Sequence, residues 1–520
     1  MDGTPWQQYL RWHVRGHDEV PIELDLGSAA IDEAEFEALA PQLEQALAAM
    51  QRIEAGAVAN ADENRRVGHY WLRAPERAPD AATRAAILQA RDACLHFAGA
   101  VHSGDIRGSE HPFSELLVIG IGGSALGVQL LADALCAPAP PLNLHVFDNT
   151  DPDGHARVLA QLDLGRTLVV VISKSGSTVE TRNGMLTARA AFANRGLDFA
   201  HHAVAVTGVG SALAKRAEAE NWRATFPMWD WVGGRTSVCS AVGLLPAALL
   251  GIDVHALLSG AAAMDAWTRT TAVRRNPATL LAAFWWTQTG PGKPVRAMVT
   301  LPYRDRLQLL SRYLQQLVME SLGKKLDRNG REVWQGLTVY GNKGSTDQHA
   351  YVQQLRDGRH DFFALFLRVL ADEPGPQLEV EPGVRTGDCL DGFYQGTRAA
   401  LDEHGRQSAT LVLNHLNATT LGALIALFER TVGVYAEMLD INAYHQPGVE
   451  AGKQAARSRL ALQARLLASL GDTPQTCEAL ADATEAPPLH VWQILRRLVA
   501  TARAEQSGSE PQTALFRAGR

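Results

Sequence analysis

The sequence predicts an α/β fold built on two doubly wound, parallel sheets, with helical extensions at both ends. Three observations carry this. Apolar runs without polar alternation, such as Leu168 to Ile172, read as strands buried on both faces. Segments with helical spacing separate those runs, and strands alternating with helices imply a parallel sheet. The alternation occurs twice along the chain, which gives two domains of similar size with a cleft between them as the expected place for a ligand.

The elements follow in order. Residues 1–110 are rich in Ala, Leu, Glu and Arg, and Ile31 to Met50 and Ala81 to Phe97 have helical spacing, so a helical region is expected there. Residues 111–260 form the first sheet domain. Its strands are expected at 115–119, 142–147, 168–172 and 202–207. Helices are expected from the glycine turn to about Cys136, around 155–162, and over 179–195 and 211–220. Residues 261–453 form the second, with strand-like runs at 295–301, 337–340, 362–368 and 410–413 and helices over 305–322 and 419–439. Residues 454–520 read as a helical tail. Its stretch Thr473 to Leu498 has a helix, turn, helix pattern, and a packing or capping appendage is favoured over a nucleic-acid reader, because no basic arm accompanies Arg496 and Arg497.

Composition excludes several classes. With 520 residues, 46% hydrophobic and 20% charged, the chain is long enough for two or three packed domains and is not disordered by composition. The formal net charge of -7 argues against a general nucleic-acid binder, so an anionic substrate must be met by a local site. Cys94, Cys136, Cys239, Cys389 and Cys477 are scattered and lack CxxC spacing, which fits reduced thiols in a cytoplasmic protein and neither a disulfide frame nor a metal site. Arg11, Arg15 and Glu19 occur near the N-terminus without an apolar run, so no secretory signal is expected. Ser240 to Met264 is about as long as a membrane span, but Pro246, Asp253 and His255 interrupt it. Two buried helices in a soluble chain are the expectation.

The chemistry concentrates in a few loops. After the strand at 168–172, the hydroxyls of Ser173, Ser175, Ser177 and Thr178, a permissive Gly176 and a helix N-terminus suit a phosphate monoester. An ordinary strand-to-helix loop with a serine cap is the alternative. Gly120-Ile-Gly-Gly-Ser-Ala-Leu-Gly127 supports two chemistries. With Asp148 after the next strand it fits a relaxed dinucleotide fingerprint, and it equally makes a nest of amides for a sugar or phosphate oxygen.

Arg235, in Trp231-Val-Gly-Gly-Arg-Thr-Ser237, is fixed by chain on both sides and suits charge that develops during reaction; a surface salt bridge is the alternative. On the segment 305–322, Leu307, Leu310, Leu314 and Leu317 form a buried stripe, with Tyr313, Gln316 and Glu320 on the adjacent row. Glu320 then borders the core in the last turn before Gly323, a setting suited to a general base, although Lys324 and Lys325 are at hand to pair with it and a solvated helix-end glutamate is the reading that the pattern alone favours. Two loops add Asp347 and His349, and Gln446 and Lys453. A lone histidine or lysine is more often structural.

Together GIGGSALG, SKSGST, VGGRTSVCSAVGLLP, YLQQLVMESLGK, KGSTDQHAYVQQL and QPGVEAGK, in this order over roughly residues 115–455, closely resemble the phosphoglucose isomerase family. The resemblance implies two sugar-isomerase (SIS) domains, usually in a homodimer, and a cofactor-free interconversion of glucose 6-phosphate and fructose 6-phosphate. It implies that Ser173, Ser175 and Thr178 with Lys174 form the phosphate loop and that Gly123 and Ser124 contact the sugar. Glu320 is implied as the base acting through a cis-enediol(ate), with Arg235 steadying its charge. His349, contributed by the partner subunit, and Lys453 are implied in ring opening, and Gln316 and Gln446 in substrate contact.

On this reading no metal, nicotinamide, nucleic acid or membrane is expected, and Asp148 becomes a strand-end residue. The sequence departs from the family pattern at Ser175 and Ser177, where threonine is frequent, and at Leu322, where asparagine is. A non-catalytic sugar-phosphate sensor with the tail as output, and an isomerase of another sugar phosphate, are the alternatives. Glu320 with Arg235 and His349 favours the enzyme.

Overall fold

The computed structural model describes residues 4–17, 19–109, 111–373, 375 and 378–519. They divide into two compact units, Met1–His445 and Gln446–Arg520.

The first unit contains both expected sheets. One has five parallel strands in the spatial order Asn143–Phe147, Glu115–Ile119, Thr167–Ile172, Ala203–Gly208, Ala224–Met228. The order reverses between Glu115–Ile119 and Thr167–Ile172. At such a switch point the chain leaves two neighbouring strands toward opposite sides, opening a crevice beyond their carboxyl ends. The loops that leave these strands are 120–124 and 173–178. Thr167–Ile172 is buried along its whole length, as its unbroken apolar run predicts.

The second sheet has six strands, in the order His13–Arg15, Ile22–Asp25, Ser408–Leu413, Phe362–Val369, Ala297–Tyr303, Val339–Tyr340. Its last four strands are mutually parallel. The first two come from the N-terminal region and add on antiparallel, with Asp25 opposite Thr410. That region is therefore not wholly helical, as its composition suggests: it completes the second sheet. Its helices Glu33–Glu54 and Ala81–Ser103 occur close to expectation. The apolar stretch at 240–264 is two helices, Ala241–Leu249 and Val254–Thr268, with Asp253 capping the second through the amide of Ala256. No helix among the described residues is long and apolar enough to cross a membrane.

The unit is tied across its length by a buried ionic cluster. Arg73 grips Asp265 with two hydrogen bonds of 2.7 and 2.9 Å and also bonds Glu429. Arg430 joins Asp265 at 2.8 Å to Glu54 at 3.1 Å, and Arg269 closes on Glu54. Burial alone would raise Asp265, yet Arg430 and Arg73 hold its carboxyl well below the usual range.

The second unit has helix Pro447–Ser469, helices Cys477–Ala483 and Pro488–Ala500, and a three-stranded antiparallel sheet in the order Gln475–Thr476, Leu515–Ala518, Ala504–Ser507. Leu466, Leu480, Leu495, Leu498 and Phe516 form its own core. The expected pair of helices is present, and the strands were not anticipated in a tail read as helical.

Candidate active site

The two switch-point loops are held by different means. In the first, the turn Gly122–Ser124 lies against two other segments. A side chain on Gly123 would strike the carbonyl of Gly234, 2.1 Å from a Cβ, and one on Gly122 would meet the amide of Gln316 at 2.9 Å. Ser237 Oγ then fastens the junction by donating to the carbonyls of Gly234 and Gly123 at 2.8 and 3.2 Å. The glycine doublet thus brings the turn Gly234–Thr236, and with it Arg235, up to the first strand's end. Ser124 stands half-buried at the end of the same turn.

In the second loop, Ser173 is buried. Its Oγ accepts from the amide of Gly176 at 3.1 Å and donates to Thr178 Oγ1 at 3.4 Å. Ser175 is exposed and lies 2.7 Å from Ser177 Oγ. Thr178 occupies the cap position of helix Val179–Asn194 without a side-chain capping bond, so the first-turn amides keep donors for an anion. Lys174 belongs to this loop by its backbone, while its ammonium turns to the carbonyls of Asp230 and Val232 at 3.0 and 3.1 Å. It braces the chain just before Arg235, and burial lowers its pKa, partly offset by Asp230.

Glu320 comes from the second half of the unit. The segment expected as one helix over 305–322 is a tight turn at Asp305–Leu307, an α-helix at Leu310–Leu314 and a wider π-helical turn at Gln315–Glu320. Leu310, Leu314, Val318 and Leu322 are all buried. A strict spacing of four drifts out of the core on an α-helix of 3.6 residues per turn, and the wide turn keeps these side chains inside. Leu322 is fully buried in that core.

Glu320 Oε1 stands 3.6 Å from Arg235 Nη1. Arg235 is 7% exposed, and among the described residues its Nη1 has no hydrogen-bond partner. Its Nη2 reaches the carbonyl of His445 at 3.5 Å. Burial lowers its pKa, with Glu320 opposing the shift. The neighbouring lysines do not pair with Glu320, as the sequence allowed. Lys324 donates to the carbonyls of Glu320 and Ser321, capping the turn, and burial together with Arg235 brings it down to about 8. Lys325 pairs with Glu332.

Glu320 lines one cavity and Arg235 another. A cleft of about 430 Å³ is lined by Gly122, Gln316 and Glu320, with Ile121 and Met319 half-open at its rim. A smaller one of about 60 Å³ lies behind Arg235, against Lys174, Glu63 and Tyr444. Glu63 and Tyr444 had no signal in the sequence, because they reach the site from distant segments. Asp148 also borders the cleft, and its carboxylate accepts from Gln129 at 2.8 Å and pairs with Arg312 at 3.4 Å.

The fold thus brings together Glu320, Arg235, Gln316, Gly123 and, through the turn Gly122–Ser124, Ser124. It places Ser173, Ser175 and Thr178 beyond the adjacent strand. His349 is exposed, at the end of the turn Thr346–His349, and lines neither cavity. That turn is rigid, because buried Asp347 accepts from the amide of Asn342 and from Tyr351 Oη. Gln446 and Lys453 belong to the other unit, before and on helix Pro447–Ser469.

Comparison with known proteins gives this arrangement a family. The model of the phosphoglucose isomerase family matches residues 25–372 and 400–469. The chain is 56% identical over 505 residues to the glucose-6-phosphate isomerase of Citrifermentans bemidjiense, covering 95% of this chain and 94% of that protein. It is 54% identical over 510 residues to the one from Synechococcus elongatus, covering 96% of each. The crystal structure of a glucose-6-phosphate isomerase from Chlamydia trachomatis superposes with a TM-score of 0.80 at 28% identity, over 88% of this chain and 91% of that one. With the family model spanning most of its length, and with relatives alike almost from end to end, the chain belongs to the phosphoglucose isomerase family.

Proposed function

We propose that this chain is an aldose–ketose isomerase that interconverts glucose 6-phosphate and fructose 6-phosphate, the step shared by glycolysis and gluconeogenesis. The observation that carries the reading is the carboxylate of Glu320 facing a buried, donor-rich Arg235 at 3.6 Å on the wall of a cleft at the switch point. Moving a proton between adjacent carbons needs a base and a fixed cation for the enediolate. These two groups supply both.

In this mechanism the phosphate is held by the hydroxyls of Ser173, Ser175 and Thr178 and the open amides of the following helix turn. Lys174 acts from beneath, by holding the segment that carries Arg235. The sugar lies over Gly123 and Ser124, with Gln316 beside it, and Gln446 is a further substrate contact that the family resemblance implies. His349 and Lys453 open the ring by moving a proton between the ring oxygen and the anomeric hydroxyl. Glu320 then takes the proton from C2 of the open-chain aldose and returns it to C1, while the hydroxyl proton passes from O2 to O1. Between these steps Arg235 faces the enediolate oxygen.

The same reading places two copies in a homodimer, with His349 crossing to its partner's cleft. The exposure of His349 on a rigid turn supports this. So does the open rim at Ile121 and Met319, 37% and 38% exposed, beside Glu320. The test is a coupled assay of the purified chain with fructose 6-phosphate and a chelator. Formation of glucose 6-phosphate is expected, and its absence under conditions where the protein is folded overturns the proposal.

A further inference from the structure

The proposed chemistry leaves one buried cation unused. Lys324 is 5% exposed, and its ammonium donates to the carbonyls of Glu320 and Ser321 at 2.8 and 2.9 Å. Among the described residues no carboxylate pairs with it. The carbonyls it takes close the wide turn Gln315–Glu320, while the amide of Gly323 takes the carbonyl of Met319 at 2.8 Å. Carbonyls at the end of a helical segment have no partner within it, so the lysine supplies what the turn itself cannot.

The chain holds this lysine in place. A side chain on Gly323 would strike the carbonyl of Met319, 2.7 Å from a Cβ, so the backbone passes close to the turn just before Lys324. Lys324 opens strand Lys324–Leu326, opposite Gln335 of strand Glu332–Gln335. The loop of this hairpin is tied to the end of helix Ala418–Met438 and the residues after it, where Arg328 pairs with Glu437 and Asn329 donates to Asp440 at 2.7 Å. The ammonium therefore reaches back to Glu320 from a fixed backbone.

An ammonium taken out of water costs free energy that two carbonyl dipoles offset only in part, and an uncharged side chain of the same length would fill the space without that cost. Packing alone does not account for a lysine here. The charged groups that bear on it are Arg235, which opposes its charge, and Glu320 and Asp62, which favour it. The carbonyl end of the turn repels a carboxylate carried on that turn. A cation on those carbonyls cancels the repulsion without pairing with the carboxylate, which stays with Arg235 at 3.6 Å and in the cleft.

We propose that Lys324 is a positioning residue for Glu320: by holding the carbonyls that close the wide turn, its ammonium fixes the direction in which the carboxylate faces the cleft, so that a proton taken from one carbon is returned to the next before it is lost to water. The proposal rests on reading Glu320 as the base.

The test compares three variants of the full-length chain. Lys324→Met keeps the length and removes the charge, Lys324→Gln keeps a donor, and Lys324→Arg keeps the charge. Urea unfolding and calorimetric titration with fructose 6-phosphate establish that each is folded and binds. Glucose 6-phosphate is then isomerised in deuterium oxide to low conversion, and NMR gives the share of fructose 6-phosphate that carries deuterium on C1. In Lys324→Met, kcat is expected to fall about 10- to 100-fold, as for a small misplacement of a reacting group, with KM within about threefold of the wild type. The deuterated share is expected to rise at least about twofold, because a carboxyl that has lost its direction exchanges with water before it returns the proton. Lys324→Arg is expected to lie closer to the wild type in both readouts. Should Lys324→Met not fold, Lys324→Gln is expected to show the same rise.

An unchanged deuterated share in a folded variant that binds fructose 6-phosphate overturns the proposal, whether or not kcat falls, and so does a loss confined to KM. Lys324→Arg no better than Lys324→Met in either readout overturns the role of the charge. A wild type that already deuterates every product molecule overturns the direct return of the proton. All these outcomes leave the reading of Glu320 standing. A wild type that does not isomerise, or a Glu320→Gln variant that isomerises at the wild-type rate, contradicts that reading and this proposal with it.

Discussion

Replacing Glu320 with glutamine keeps the shape of the side chain and removes its ability to take a proton. The carboxylate is 22% exposed and faces the cleft, so the substitution leaves no cavity and buries no new group. At 3.6 Å its attraction to Arg235 is substantial but partly screened by cleft water. Because the change leaves the largely buried Arg235 without a facing carboxylate, folding stability should fall by roughly 1–3 kcal/mol, between an exposed and a fully buried pair. A positioned general base contributes roughly 10²- to 10⁴-fold, or about 2.7–5.4 kcal/mol of barrier. Turnover of fructose 6-phosphate by Glu320→Gln should fall by that factor, while binding of the sugar phosphate persists, because its phosphate is held at a separate loop. The assay couples glucose 6-phosphate formation to its dehydrogenase, with binding followed calorimetrically on the same preparation. Turnover within tenfold of the wild type refutes the assignment of Glu320.

Further outcomes follow from the same geometry. Arg235→Gln keeps a donor and loses the cation, so kcat should fall about 10²- to 10³-fold with a smaller change in KM, as for loss of one preorganised electrostatic group. If His349 crosses between subunits, mixing Glu320→Gln with His349→Asn chains should restore about a quarter of wild-type activity by random pairing, because half the dimers then carry one intact site. No recovery after verified subunit exchange places His349 in its own subunit's site. Asp265→Asn leaves Arg73 and Arg430 without their shared carboxylate and should cost on the order of 3–5 kcal/mol in urea unfolding. Because Asp265 is held below its ordinary 3.8, its contribution is present above that value and lost as pH falls below it, so the variant should lose less stability on acidification.

The parts of the candidate site that are legible in the sequence are those where chemistry and local structure coincide. Ser173–Thr178 is a strand end, a hydroxyl-rich turn and a helix start within a few residues, and Gly122 and Gly123 mark a close approach of backbones that admits no side chain. The row beside the leucine stripe puts Glu320 at the border of the core but leaves a solvated helix-end glutamate open, and its reading as the base comes from the family resemblance. The wide turn that carries it was not legible, since the same spacing also fits the start of an α-helix. The strands His13–Arg15 and Ile22–Asp25 escaped notice because three or four residues give too little alternation to outweigh the helical composition around them. Ala224–Met228 was missed for a similar reason, as it contains Pro227, which is admissible at a sheet edge. The cluster of Arg73, Asp265, Glu429 and Arg430 left no pattern, because its members meet only after the helices that carry them have packed together.

The most direct measurement is isomerisation in deuterium oxide followed by proton and deuterium NMR. If Glu320 carries hydrogen between C2 and C1 as a proton, solvent deuterium should appear on C1 of fructose 6-phosphate during turnover by the wild type, and Glu320→Gln should slow its entry along with isomerisation. Isomerisation in which no deuterium ever reaches carbon, or exchange by Glu320→Gln at the wild-type rate, contradicts proton transfer by this residue.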